Sequence, residues 1–173
     1  DTLSLSGKIA SGDRILISGL EHHSNIVPWQ MLCERTGAAL DVIPITDSGE
    51  WDLSDIDSLL TENTKLVAVN QVSNALGTIN PIDIVIAKAK KVGAWTLIDG
   101  AQSAPHMAVD VHAIGCDFFV FSGHKTYAPT GIGILWGRTE LLEMLPPWRG
   151  GGEMIKQVTF EKTTYNGLPF KYE

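Results

Sequence analysis

Six apolar runs of four to six residues, at 14–18, 40–45, 65–69, 95–98, 117–121 and 132–136, recur along the chain, most of them separated by longer amphipathic stretches. Runs this short, apolar on consecutive positions rather than on alternate ones, suit strands buried on both faces. The amphipathic stretches at 25–36, 53–60, 82–92 and 139–144 have helical spacing. Gly37 and Gly93 stand where the first and third of these should stop, and Asp52 stands where the second should be capped. Strand–helix–strand repetition through Asp99 implies right-handed crossovers between parallel neighbours. About ten residues join the run ending at Phe121 to the one starting at Ile132, too few for a helical crossover, so that pair is expected to be antiparallel. The expected fold class is α/β: a three-layer α/β/α arrangement around a mixed, mostly parallel sheet. Residues 1–145 make up its core. Residues 146–173, from Pro-Pro-Trp-Arg-Gly-Gly-Gly onward, read as a loop and a β-hairpin with little core of their own.

Charge narrows the classes of partner. Thirteen basic against 20 acidic residues give a net charge of −7, which argues against nucleic acid and anionic membrane as partners. No apolar run approaches the roughly 18 residues of a membrane span. Cys33 and Cys116 lie far apart and in no CxxC pair, so neither a disulfide framework nor a zinc site is expected, and a cytoplasmic location is. Both thiols sit among apolar neighbours and are expected to be inert packing. The chain opens without methionine and closes on Phe-Lys-Tyr-Glu, which reads as a piece of a longer protein.

Polar groups cluster where the apolar runs end. Glu21-His22-His23-Ser24-Asn25 follows the first, Asn70-Gln71-Val72-Ser73-Asn74 the third, Asp99-Gly100-Ala101-Gln102 the fourth and Ser122-Gly123-His124-Lys125 the fifth. In open α/β sheets ligands bind beyond the carboxyl ends of the strands. Four such ends are therefore expected to deliver their polar groups to one place. Lys125 stands out among them, because an ammonium group just past a buried strand resists desolvation. Held there, a lysine is suited to Schiff-base chemistry.

His22-His23-Ser24-Asn25, Val72-Ser73-Asn74-Ala75-Leu76-Gly77, Asp99-Gly100-Ala101-Gln102 and Ser122-Gly123-His124-Lys125 together resemble the class V aminotransferase group of fold-type I pyridoxal phosphate enzymes. Within that group the text is most similar to cysteine desulfurases of the sulfur-mobilising kind, which also act as selenocysteine lyases. The resemblance extends through Asn25-Ile26-Val27-Pro28-Trp29 to Pro146-Pro147-Trp148 and the three glycines after Arg149. It implies pyridoxal 5'-phosphate as cofactor. Lys125 would be the Schiff-base lysine, Asp99 the carboxylate on the pyridinium nitrogen and Gln102 the donor to the phenolate oxygen. His22 would stack on the ring and move protons, Ser122 and His124 would contact the phosphate, and Asn74 would lie near the substrate carboxylate. Lys125 and His22 are the catalytic pair of this set. The resemblance further implies cysteine or selenocysteine as substrate, a homodimeric parent and a sulfur-acceptor protein. It also implies that the persulfide-forming cysteine and the substrate-clamping arginine lie outside these residues, which would leave the isolated chain inactive.

Rival motifs fail on context. Gly123-His124-Lys125-Thr126 lacks the glycine-rich cradle of a P-loop, since Phe118 and Phe119 occupy the preceding positions. Gly131-Ile132-Gly133 is followed by a strand pattern where a dinucleotide fold needs a helix. His22, His23, His106, His112 and His124 show no metal-ligand spacing, so no metal is expected. Another class V enzyme (an aminotransferase or a kynureninase-like hydrolase) remains an alternative, as does a non-catalytic scaffold or partner-binding segment.

Overall fold

The computed structural model describes residues 2–172; Asp1 and Glu173, the outermost residues of the two expected segments, lie outside the described residues. Six strands form one sheet: β1 (Arg14–Ser18), β2 (Ala39–Ile43), β3 (Thr64–Asn70), β4 (Trp95–Asp99), β5 (Phe118–Ser122) and β6 (Gly133–Gly137). Their spatial order is β2-β1-β3-β4-β5-β6. The first five are parallel, and β6 runs antiparallel to β5, pairing Phe118 with Gly137 and Ser122 with Gly133. The sheet is mixed and mostly parallel, as the short 121–132 connection implies.

The helices are α1 (Thr2–Ser6), α2 (Val27–Thr36), α3 (Ile56–Leu59), α4 (Ile82–Lys91), α5 (Ser103–His106), α6 (Val111–Ile114) and α7 (Thr139–Met144). Side-chain alternation divides them between the two faces of the sheet. Ile15, Ile17, Leu66 and Ala68 point one way, onto Ile9 and Leu32 of α2. Leu16, Val67, Val69, Ile98 and Phe119 point the other way, onto Val85, Ile86 and Ala89 of α4 and Ile56 of α3. Both sets are almost wholly buried, which explains why the strand text is continuously apolar.

Several boundaries differ from expectation for local reasons. A 3-10 turn over His23–Asn25 precedes α2, whose first turn carries Pro28, a residue that needs no helical N–H partner there. Asp52 does not cap a helix. Its carboxylate accepts from the Ser54 backbone N–H at 3.0 Å in a local turn, and α3 is one turn long, starting at Ile56. Gly37 closes α2 with φ of 77°, the left-handed stop its position predicts. Asp117 stands outside β5, accepting from the Thr96 N–H and hydroxyl at 2.8 and 3.0 Å and pairing with Arg138 at 3.1 Å. The one-turn helices α5 and α6 were not foreseen, because four residues are too few to show a period.

Beyond α7, β7 (Ile155–Val158) and β8 (Thr163–Tyr165) form an antiparallel hairpin. The tail then folds back. The Tyr172 hydroxyl shares its proton between the carbonyls of Leu142 and Leu145 (2.8 and 2.7 Å), groups that a helix end leaves unpaired. At the open edge of the main sheet, β6 leaves Leu135 55% exposed, unlike the sealed central strands.

Candidate active site

Strand β1 connects to β2 on one side, and the chain then returns past it to β3 on the other. The carboxyl ends of β1 and β3 therefore flank a switch point, where a doubly wound sheet opens a crevice. A cavity of about 290 Å³ lies there. All seven residues singled out from the sequence line it: His22 from the turn after β1, Asn74 after β3, Asp99 and Gln102 at the end of β4, and Ser122, His124 and Lys125 at the end of β5. Ser24, Asn70, Val72 and Ala101 complete the lining. No helix of the described residues is long and apolar enough to cross a membrane, and no cluster of metal-ligating side chains occurs among them.

Each group is positioned by its own backbone. Asp99 is the last residue of β4, 9% exposed, with one carboxylate oxygen accepting from the Ala101 N–H at 2.8 Å. It is paired in register with Asn70 of β3. Gly100 follows, its N–H donating to the Val120 carbonyl at 2.7 Å and its carbonyl accepting from the Ala104 N–H at 2.8 Å. Gln102 follows at the N-terminal boundary of α5. His22 accepts the Ser24 N–H on Nδ1 at 3.2 Å, with the Ser24 hydroxyl 2.8 Å from the same atom. A neutral ring accepting there carries its proton on Nε2.

Lys125 ends a 3-10 turn over Gly123–Lys125. Three groups converge on the Gly123 carbonyl to hold that turn: the Thr126 N–H at 2.8 Å, the Thr126 hydroxyl at 3.0 Å and the Ala128 N–H at 3.1 Å. Gly123 admits no side chain, since a Cβ would fall 2.4 Å from Ile132 Cγ2. The lysine itself is half-buried rather than sealed. Next to it, Tyr127 takes φ of 65°, an uncommon conformation for a non-glycine residue.

One residue that the sequence placed in the strand-end cluster without assigning it a role is Glu21. Glu21 is 8% exposed. Its carboxylate accepts from the Ser18 hydroxyl, from Asn25 Nδ2 at 2.7 Å and from the Asn70 N–H at 3.0 Å. Burial pushes it up to about 7, with the charge of Asp99 adding to the rise and the three hydrogen bonds opposing it. The available signal was a carboxylate placed directly after an apolar strand at the cavity edge. Among the described residues no ion pair joins Glu21 or Asp99 to a cation.

The two thiols stand apart from this cavity. Cys116 is fully buried, and burial raises it to about 11; burial also raises the half-buried Cys33, with Asp41 adding to the effect.

The donor set has a definite chemical character. A buried carboxylate without a cation, an amide at its side, a flat imidazole, a primary amine and a hydroxyl–imidazole pair surround a space at the small end of ligand-pocket sizes. Such a set suits a planar ring with a cationic edge, an oxygen substituent, an aldehyde and an anionic tail.

Comparison with known proteins gives a consistent result. The family model described as aminotransferase class-V matches residues 2–173. A cysteine desulfurase from Dickeya dadantii is 55% identical over 163 residues, which span 94% of this chain and 40% of that protein. One from Synechococcus elongatus is 54% identical over 168 residues, 97% of this chain and 27% of its own length. Among solved structures, a cysteine desulfurase from Escherichia coli in its S-sulfonic acid form matches with a TM-score of 0.94 at 38% identity, covering 99% of this chain and 44% of that one. The apo structure of a cysteine desulfurase from Thermococcus onnurineus matches with a TM-score of 0.92 at 39% identity, over 99% of this chain and 43% of that one. The chain thus spans less than half the length of these relatives.

Proposed function

This chain belongs to the aminotransferase class-V family, and on that premise we propose that it is the cofactor-holding core of a pyridoxal 5'-phosphate-dependent cysteine desulfurase. The observation that carries the proposal is the convergence of Lys125, Asp99, Gln102, His22, Ser122, His124 and Asn74 on one cavity from four strand ends. The relatives named cysteine desulfurase, at 54–55% identity, support that activity over others of the family.

When bound, the cofactor supplies an aldehyde that captures amines and a ring that accepts an electron pair from the substrate. Lys125 would hold it covalently and, once released, carry a proton on Nζ. Asp99, buried and without a paired cation among the described residues, would keep the ring nitrogen protonated by its negative charge. Gln102 would donate to the ring oxygen. His22, with its proton on Nε2, would lie against the ring face and serve in proton transfer. Ser122 and His124 would donate to the phosphate, for which hydroxyl and imidazole donors are well suited. Asn74 would contact the substrate carboxylate.

The overall reaction takes cysteine and an enzyme thiol to alanine and an enzyme persulfide. The substrate's C–S bond breaks, an S–S bond forms and the β-carbon gains a proton. Cys116 and Cys33 are unsuited to supply that thiol, so it would come from the remainder of the longer protein, as would the arginine that clamps the substrate. In this reading residues 1–145 hold the cofactor, and residues 146–173 lead through the β7–β8 hairpin toward that remainder. The full protein would act in the cytoplasm as a homodimer and hand its sulfur to an acceptor protein. The exposed apolar side chains at the β6 edge, Ile132 and Leu135, are consistent with a surface that is covered in the whole protein.

The test uses the full-length protein containing this chain. Incubation with pyridoxal phosphate should give a band at about 420 nm; borohydride should fix the adduct on Lys125, and cysteine, in the presence of an added dithiol reductant that cleaves the persulfide, should be turned over to alanine with release of sulfide. An adduct on another lysine, or no alanine from the loaded protein, overturns the reading.

A further inference from the structure

Glu21 joins three of the elements that build the cavity. Through Ser18 it holds the end of β1, through Asn25 the His22 turn, and through the Asn70 N–H the end of β3. Asn25 is locked in turn, donating also to the Ala68 carbonyl at 3.2 Å and accepting from Trp29 Nε1 at 2.9 Å. Asn70 donates from its side chain to the Leu20 carbonyl and accepts from Asn80. The strand residue that Glu21 grips, Asn70, lies opposite Asp99 in the sheet register.

We propose, resting on the cofactor reading above, that Glu21 is a positioning residue for the Asp99 side of the cavity. It clamps the His22 turn to β1 and β3, and its charge acts across the sheet so that ionised Glu21 and a cation held at Asp99 favour one another.

Hydrogen bonding and charge argue for this independently. Three donors converge on the carboxyl, the Ser18 hydroxyl and the Asn70 N–H on Oε1 and Asn25 Nδ2 on Oε2, and an ionised carboxylate accepts all three with no proton of its own left to place. A glutamine in its place offers one acceptor oxygen and turns an N–H₂ toward donors. The neighbours from β1, the following turn and β3 are Ser18, Asn25 and Asn70, all neutral. Among the described residues the charge acting on Glu21 is that of Asp99 on β4, while His22 turns its Nδ1 to Ser24. Two buried carboxylates that feel each other, with no cation paired to either among the described residues, are relieved by a cation arriving at one of them. That relief is reciprocal: what Asp99's ligand does to Glu21, Glu21 does to the ligand.

The experiment is a pH titration of the visible absorbance of the full-length protein loaded with pyridoxal phosphate, compared between wild type, Glu21→Gln and Glu21→Asp. A nearby negative charge raises the midpoint of a cationic chromophore, so Glu21→Gln should titrate lower than wild type by about 0.5–1 pH unit. Glu21→Asp keeps the charge and should stay close to wild type. A merely structural glutamate would lower the melting temperature of both variants and leave every midpoint in place, and equal midpoints overturn the proposal. Should neither variant fold, infrared spectra of unsubstituted protein with ¹³C-labelled glutamate decide the matter. The protonated carboxyl band should vanish between about pH 6 and pH 8 without cofactor and at lower pH with it; a band that does not move on loading overturns the proposal. Wild-type protein that takes up no cofactor at Lys125 defeats the functional reading and this proposal together. Normal loading with an unmoved Glu21→Gln midpoint defeats this proposal alone.

Discussion

Gly100 has no space for a side chain because the ring of Phe119 already fills it: a Cβ at residue 100 would lie 1.9 Å from Phe119 Cζ. Phe119 is 2% exposed and packed in the larger core cluster, so its ring has nowhere to retreat. Gly100 also lies between Asp99 and Gln102, just ahead of the turn over residues 101–102. Core packing and site geometry thus meet at one position.

Gly100→Ala should therefore destabilise the fold at or beyond the upper end of the usual overpacking range, about 3 kcal/mol. It should also disturb the spacing of Asp99 and Gln102. Thermal melting of the full-length protein checks the first effect and cofactor affinity the second. A melting temperature within about 1 °C of wild type would contradict the packing argument.

Glu21 gives stability a pH dependence of predictable sign. Its folded-state value is raised from 4.5 to about 7, so between those limits the folded protein binds more protons than the unfolded chain. Stability then falls as pH rises through that window and levels off above it, by up to about 3 kcal/mol for this one group. Glu21→Gln has no such group to ionise. Its deficit relative to wild type should shrink as pH rises from about 5 to about 7.5. Melting curves of both proteins across that range provide the check, and a constant difference would show that Glu21 is ionised throughout.

Cys116 should resist thiol reagents in the folded protein, since it is fully buried and pushed up to about 11. Cys33, half-buried and also raised, should react slowly. Cys116→Ala should leave sulfur transfer unchanged. Timed alkylation with mass mapping, with and without denaturant, tests the first two statements. Fast labelling of Cys116 in the native state would show that the strand end opens.

The strands were legible because burial on both faces writes itself as an unbroken apolar run; β1 and β3 show this most clearly, with Leu16 and Val67 facing one layer and Ile15 and Leu66 the other. The same text misleads at β6. Its run is as apolar as the others, yet Leu135 stands exposed, because a sequence cannot say whether a strand's partner layer lies within the same residues. The site was legible for a related reason, since polar residues directly after apolar runs have one place to go in a parallel sheet. Glu21 was readable as a carboxylate at that edge. Its burial and its three donors come from Ser18, Asn25 and Asn70, which only folding brings together. Asp52 shows the opposite failure, a good capping residue whose own side chain prefers a local turn.

Lys125→Ala tests the centre of the functional proposal. Gly123 and Thr126 hold the turn through backbone and hydroxyl groups that do not involve the lysine side chain. The substitution should therefore leave the fold and the Asp99, Gln102, Ser122 and His124 contacts in place. Pyridoxal phosphate should still bind, held by those groups alone, and should wash out on dialysis. Borohydride should fix no cofactor to the protein, and turnover of cysteine should fall by roughly 10⁴-fold or more, the scale on which loss of a covalent catalyst and its proton transfer is felt. Intact mass after reduction is the direct measurement. A surviving cofactor adduct in Lys125→Ala would assign the covalent role to another lysine and remove the central residue from the site.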